Sequence, residues 1–266
     1  MILASAPVSG DALTALVVLA YCAAAAIGGR GKPVWRFVEV AAWGLHGVLL
    51  AEGLLGSAPR FGFAGALSMT AWLVMAVYLL ERQFYPQLRI RWMMSALGLA
   101  TVVLAWRFPG NALSAGASGW VPVHLTLALG SYGLFGAAVA HALLMGSAES
   151  RMRHPSGNDQ GMPLLTMERL TFRLVWAGFA LLSATLLLAF TLGESLYGPG
   201  GAFHWNHKTV FTVLSWLVFA ALLTGRARLG WRGRRATRML YVGSGLLLLA
   251  YVGSRFVLEV ILGRLP

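Results

Sequence analysis

The chemistry available to this chain rests mainly on six histidines: His46, His124, His141, His154, His204 and His207. Imidazole nitrogens bind transition metals and haem iron, and a histidine inside a long apolar stretch marks a site by default. His46 and His124 fall in different apolar segments and are free to face each other. Two neutral imidazoles on facing helices are a common way for a helix bundle to hold haem iron. His124 and His141 lie on one segment, 17 residues apart, or roughly 25 Å at helical rise, so they cannot share a ligand. The only short pair is His204-x-x-His207. Zinc chemistry would ask for a His-Glu-x-x-His helix, which is absent. The plainer reading of His46 is a packing residue bonded to a neighbouring carbonyl, and that of His204 and His207 is ordinary loop histidine. His141 and His154 read as interfacial or solvated. Arg255 precedes Glu259 by four residues, so the two share a helix face. It reads either as a snorkelling salt bridge or as a cation that meets an anionic group of a ligand.

The elements that must position these residues follow from composition. Of 266 residues, 58% are hydrophobic and 11% charged, against about 25% charged in a soluble domain. The mean hydropathy is +0.71. A soluble fold of this size has too little interior to hide that much apolar surface. The expected fold is therefore all-α, a polytopic transmembrane bundle forming one integral membrane domain over residues 1–266. Eight spans of about 20 residues are expected, near 10–29, 36–55, 62–81, 90–106, 121–145, 172–193, 208–225 and 239–261. The fourth is the weakest, because Arg89 and Arg91 trim its start. The first lacks a basic leader and reads as a retained helix. The longest connection, Gly146 to Thr171, is polar and reads as a loop with a short helix start near Met167–Arg169. A single cysteine, Cys22, excludes an intrachain disulfide.

The net charge of +12 falls between the apolar stretches, so it orients the chain in a membrane and implies no nucleic-acid partner. Alternate connections hold 16 Lys and Arg against 5 in the other set with the termini. The positive-inside rule then places both termini outside, at the periplasmic face. His46 lies near mid-span, and His124, His204 and His207 lie toward the outer surface. The cluster from Arg226 to Arg238 is cytoplasmic, where it sets topology and meets anionic headgroups. Trp35, Trp106, Trp120, Trp205 and Trp231 sit at span ends as an aromatic belt, whereas Trp43 and Trp216 are deeper and read as packing residues. The 32 glycines are spread through the spans and suit close helix packing. The sequence contains no phosphate-binding glycine loop and no nucleophile–base constellation.

Several stretches are distinctive: Met162-Pro-Leu-Leu-Thr-Met-Glu-Arg169, the helix opened by His207-Lys-Thr, the run Gly230-Trp-Arg-Gly-Arg-Arg235, and Tyr251-Val-Gly-Ser-Arg255. In these the chain resembles the cytochrome c assembly family, in its small inner-membrane YpjD- or HemX-like branch, from about Ala42 to Val260. The resemblance implies a multi-pass protein of the bacterial inner membrane that handles haem b. Membrane lipids, apocytochrome c or other maturation components are the implied partners. His46 looks like the histidine of an early span in this branch. His124 looks like the histidine that begins the central helix, an outer-face haem ligand in the larger synthases. His207 falls where those synthases end their tryptophan-rich haem-presenting loop. The Trp-Trp-Asp motif of that loop is absent, and Gly201-Ala-Phe-His-Trp-Asn-His207 stands in its place. Thr224 occupies the place of a further histidine, and no histidine follows His207.

The chain is thus expected to bind or pass haem rather than to catalyse its attachment. The expected site has His46 and His124 at the iron, His207 or His204 as alternative ligands, and Arg255 at the propionates. Two other readings stay open: an accessory protein of metal-ion or small-molecule transport, with histidines lining a polar path, and a b-type electron-transfer protein.

Overall fold

The structure, a computed structural model, describes residues 8–28, 34–56, 60–84, 91–112, 120–153, 163–193 and 206–261. Its helices are α1 (Val8–Gly28), α2 (Trp35–Leu55), α3 (Phe63–Phe84), α4 (Arg91–Arg107), α5 (Trp120–Arg153), α6 (Leu164–Thr191), α7 (His207–Leu229) and α8 (Gly233–Leu248). Beyond Leu248 the last helix widens into π turns at Leu249–Gly253 and Val257–Ile261, with Ser254–Phe256 between them. Among the described residues, seven helices are long and apolar enough to cross a membrane, and Trp92–Arg107 is a shorter apolar helix. Helices suit this environment because each satisfies its backbone polar groups internally. Two expected boundaries move. Helix α5 continues to Arg153, and α6 begins at Leu164 behind Pro163, so both run into what hydropathy marks as the loop from Gly146 to Thr171.

The chain divides into two compact units, residues 1–80 with 89–113 and 265–266, and residues 81–88 with 114–264. In the first unit, α1 packs on α2 and α4. A two-residue antiparallel ladder pairs β1 (Arg60–Phe61) with β2 (Asn111–Ala112), tying the approach to α3 to the exit from α4. The core of this unit is polar at its centre. The Tyr21 hydroxyl of α1 lies 2.9 Å from Nδ1 of His46 on α2, and Nε2 of His46 lies 2.8 Å from Oγ of Ser68 on α3. Tyr21 also donates to Sδ of Met75 at 3.5 Å. One imidazole therefore ties three helices, and all its hydrogen-bonding capacity is spent inside the protein. Nearby, the Ser95 hydroxyl of α4 donates to the Glu39 carboxylate of α2 at 2.6 Å, with both residues fully buried. The indoles of Trp43 and Trp72 stack at 4.9 Å, and each donates to the other's backbone carbonyl, at 3.1 and 2.9 Å. Trp43 is thus a packing residue, as expected.

The second unit is built around four helices. Phe135 of α5 and Phe219 of α7 stack face to face, with centroids 3.8 Å apart and planes 4° from parallel. Glycines back both rings. A Cβ on Gly178 of α6 would come within 3.1 Å of Phe135, and one on Gly243 of α8 within 2.9 Å of Phe219. Membrane helices have little hydrophobic drive to associate, so close approach over small residues supplies the packing energy instead. Polar ties reinforce the stack: Ser215 donates to the Gly243 carbonyl, Trp216 to the Ser183 hydroxyl, and Tyr132 to the Leu247 carbonyl. The bond from Tyr132 lands just before the first π turn, where a side-chain donor competes with the helix's own ladder.

Among the described glycines of the first unit, Gly98 makes the tightest contact with a side chain, and it gives a sharp test. A Cβ on Gly98 of α4 would lie 2.6 Å from the Tyr21 ring. That ring cannot swing away while His46 and Met75 hold its hydroxyl. Gly98→Ala is expected to destabilise the protein by about 1–3 kcal/mol, the usual cost of overpacking, read as a lower thermal midpoint in detergent. Tyr21→Leu should largely remove that penalty in the double variant. Additive losses would show that the contact is not the constraint.

Candidate functional site

The polarity of the second unit follows from its contacts. Tyr132 of α5 reaches Leu247 of α8, while Ala142 of α5 and Leu240 of α8 line a common cavity further along. Rising numbers on α5 thus pair with falling numbers on α8, so the two helices are antiparallel. The start of α5, with His124, lies at the same end of the unit as Tyr251 and Arg255.

That end gathers the groups with chemistry. His124 is half-buried in the first turns of α5. Helix α7 begins at the same end, and its N-terminus is capped in sequence by Asn206. The Asn206 side chain accepts from the Thr209 backbone N–H at 3.0 Å and from its hydroxyl at 3.1 Å. Such a cap satisfies orphan amides of the first turn and fixes where the helix starts. It sets exposed His207 at the first helical position and Lys208 at the second. The Lys208 ammonium lies 5.9 Å from the Tyr251 ring centroid, and the Arg255 guanidinium 6.0 Å from the same centroid. These are outer-limit cation–π distances. Their significance is convergence: two cations from separate helices approach one ring. The π turns, by widening the helix, set how Tyr251 and Arg255 are presented.

The expected site residues are thus distributed as follows. His124, His207 and Arg255 belong to the second unit. His46 belongs to the first, fully buried between Tyr21 and Ser68. Neither unit by itself assembles the pair His46 and His124. His204 lies outside the described residues, as does the side chain of Glu259. His141 departs from its expected interfacial place. It is 4% exposed, with Nε2 2.7 Å from Oε2 of Glu81, and both groups fall in the second unit. The reason is the length of α5, which carries a further twelve residues beyond His141 and so moves it away from the helix end. No group of three or more His, Cys, Asp or Glu able to hold a metal ion occurs among the described residues.

Sequence reasoning passed over Lys208 and Tyr251 as site residues. Lys208 is one of only two lysines in the chain, and Tyr251 lies four residues before Arg255. Both were visible as residues, but their pairing depends on which helices are neighbours.

With this geometry in hand, relatives sharpen the assignment. Residues 61–262 match the cytochrome c assembly protein family. An uncharacterised 28.8 kDa protein of Azospirillum brasilense is 32% identical over 74% of this chain and 76% of its own length. The inner membrane protein YpjD of Escherichia coli K12 is 31% identical over 52% of each chain. The cytochrome c biogenesis protein CcsA of Synechococcus elongatus is 26% identical over 93% of this chain and 84% of its own. No solved structure gives a significant match. With a family match over most of its length and seven membrane-length helices, the chain belongs to the cytochrome c assembly protein family and is a multi-pass protein of the bacterial inner membrane.

Proposed function

We propose that the protein assists cytochrome c biogenesis by binding or passing haem b at the end of the second unit that carries His124, His207, Lys208 and Arg255. Family membership supports the biogenesis role. The observation that carries the haem reading is the convergence of Lys208 and Arg255 on Tyr251, at the end where α5 begins with His124. Haem joins an iron that takes imidazole nitrogen to two carboxylates that take cations. The donor set at this end matches both halves of that molecule. His124, half-buried, is the first iron ligand in this reading, and His207, exposed at a capped helix start, is an exchangeable one. Ligation by His46 would require it first to release Tyr21 or Ser68, so it ranks behind His124. Lys208 and Arg255 would hold the propionates.

The 16 to 5 division of basic residues favours an orientation with both termini and this end at the periplasmic face. An apocytochrome c or another maturation component would meet the haem there. Bound haem would supply a redox-active iron and vinyl groups for addition of cysteine thiols. The chain's own residues bind and orient, and the absence of the Trp-Trp-Asp presenting motif argues against attachment chemistry in this chain.

Haem per chain, measured as pyridine haemochrome on purified variants, tests the ligands. His124→Ala is expected to lower haem retention about tenfold or more, and His46→Ala to lower thermal stability more than haem per folded chain. Lys208→Gln with Arg255→Gln should weaken retention by roughly 10-fold or more, the scale of losing hydrogen bonds to charged groups. If His124→Ala and His207→Ala both leave haem content and spectrum unchanged, the site is wrong.

A further inference from the structure

A side-chain donor that enters a helix competes with the helix's own hydrogen-bond ladder. The carbonyl of Leu247 and the backbone N–H of Tyr251 stand four residues apart, the pair that an α-helix joins directly. The Tyr132 hydroxyl of α5 meets both. It donates to the Leu247 carbonyl, and the Tyr251 N–H donates to it. A hydroxyl has one proton to give and two lone pairs to accept with, so it serves both halves of that backbone pair. The helix changes pitch at this point. The Leu249 N–H still bonds four residues back, to the Gly245 carbonyl. The Ser254 N–H bonds five residues back, to the Leu249 carbonyl, and Leu249–Gly253 is a π turn. The Ser254 hydroxyl covers two carbonyls of the widened turn, those of Ala250 and Tyr251, at 2.9 and 3.1 Å.

A π turn holds one more residue than an α turn. Every residue beyond it therefore sits where its predecessor would sit in an unbroken α-helix. Closing the turn would carry each of them on by one place, about 100° around the axis and about 3.8 Å at Cα. Tyr251 lies in the turn and Arg255 just past it. The register thus decides whether Arg255 shares the Tyr251 ring with Lys208 of α7, at 6.0 and 5.9 Å from its centroid. Helix α5 also carries His124, eight residues before Tyr132 and about 12 Å along the axis. One helix supplies the imidazole and touches the turn that places the cation.

We propose that Tyr132 is a positioning residue of the haem site: its hydroxyl holds the π turn that keeps Arg255 beside Lys208. The role given to Arg255 rests on the haem reading, whereas the register of the helix is measurable without haem.

Tyr132→Phe keeps the ring and removes the hydroxyl. The first readout is the distance between spin labels on Leu217→Cys of α7 and Val257→Cys of the last helix, two exposed positions. It is taken on the full chain without haem, with the native cysteine removed by Cys22→Ala. Tyr132→Phe is expected to shift that distance by a few Å, on the scale of one residue spacing. The second readout is haem per folded chain. Tyr132→Phe is expected to lower retention about tenfold, the scale of losing one bond to a charged group. In an unbroken helix, residue 254 takes the place that Arg255 holds now. Ser254→Arg with Arg255→Ser should therefore restore retention in the Tyr132→Phe background and lower it in the wild type, a reversal that general destabilisation would not give. An unchanged label distance in Tyr132→Phe overturns the proposal whatever the haem content. So does a shifted distance without rescue by the exchange of residues 254 and 255. If the wild-type chain takes up no haem, the haem reading falls, and the label distance alone decides for or against the hydroxyl.

Discussion

The second unit depends on one contact, the stack of Phe135 on Phe219 held between Gly178 and Gly243. Four helices supply one residue each. An aromatic pair adds about 0.5–1.5 kcal/mol beyond area burial, which is modest, but its geometric effect is larger. Flat rings against bare backbone fix the separation of all four helices, and in lipid no competing hydrophobic force resets it. From that centre, Tyr132 ties α5 to Leu247 and precedes the π turns that present Tyr251 and Arg255. In the other direction the helices part around an apolar slot. The groups at both ends take their spacing from this apolar core.

Two histidines with similar standing in the sequence have different surroundings. His46 is fully buried, and Tyr21 and Ser68 occupy both its nitrogens. Such a tie specifies how three helices pack, because a buried polar group must find its partners or pay for desolvation. His124 is half-buried near a helix start, so engaging it would not require rupture of the core. Position along a span does not separate these cases. Partner atoms do.

Much of the fold was legible in the sequence, for a plain reason: the bilayer imposes a length and a polarity on each span. Helix ends were less so. Hydropathy reports where the apolar part stops, whereas α5 runs on to Arg153 and α6 starts at Leu164, so His141 looked interfacial and is buried beside Glu81. The Gly230 to Arg235 run was recognisable as a motif, but its physical content is a tight reversal with two left-handed glycines and a stacked Trp231–Arg235 pair. Asn206 is a residue type that caps helices, but the sequence reading did not single it out. The meeting of Lys208 with Tyr251, 43 residues away, could not be read without knowing that the two helices are neighbours.

The central claim is that this chain holds haem b. Its most direct test is the reduced-minus-oxidised absorption spectrum of the detergent-purified protein, calibrated by pyridine haemochrome. The account predicts a b-type spectrum with about one haem per chain, on the ordinary stoichiometry of a single iron site. An absence of haem from protein expressed with added haem precursor would contradict it, leaving the family membership and the fold standing without the site.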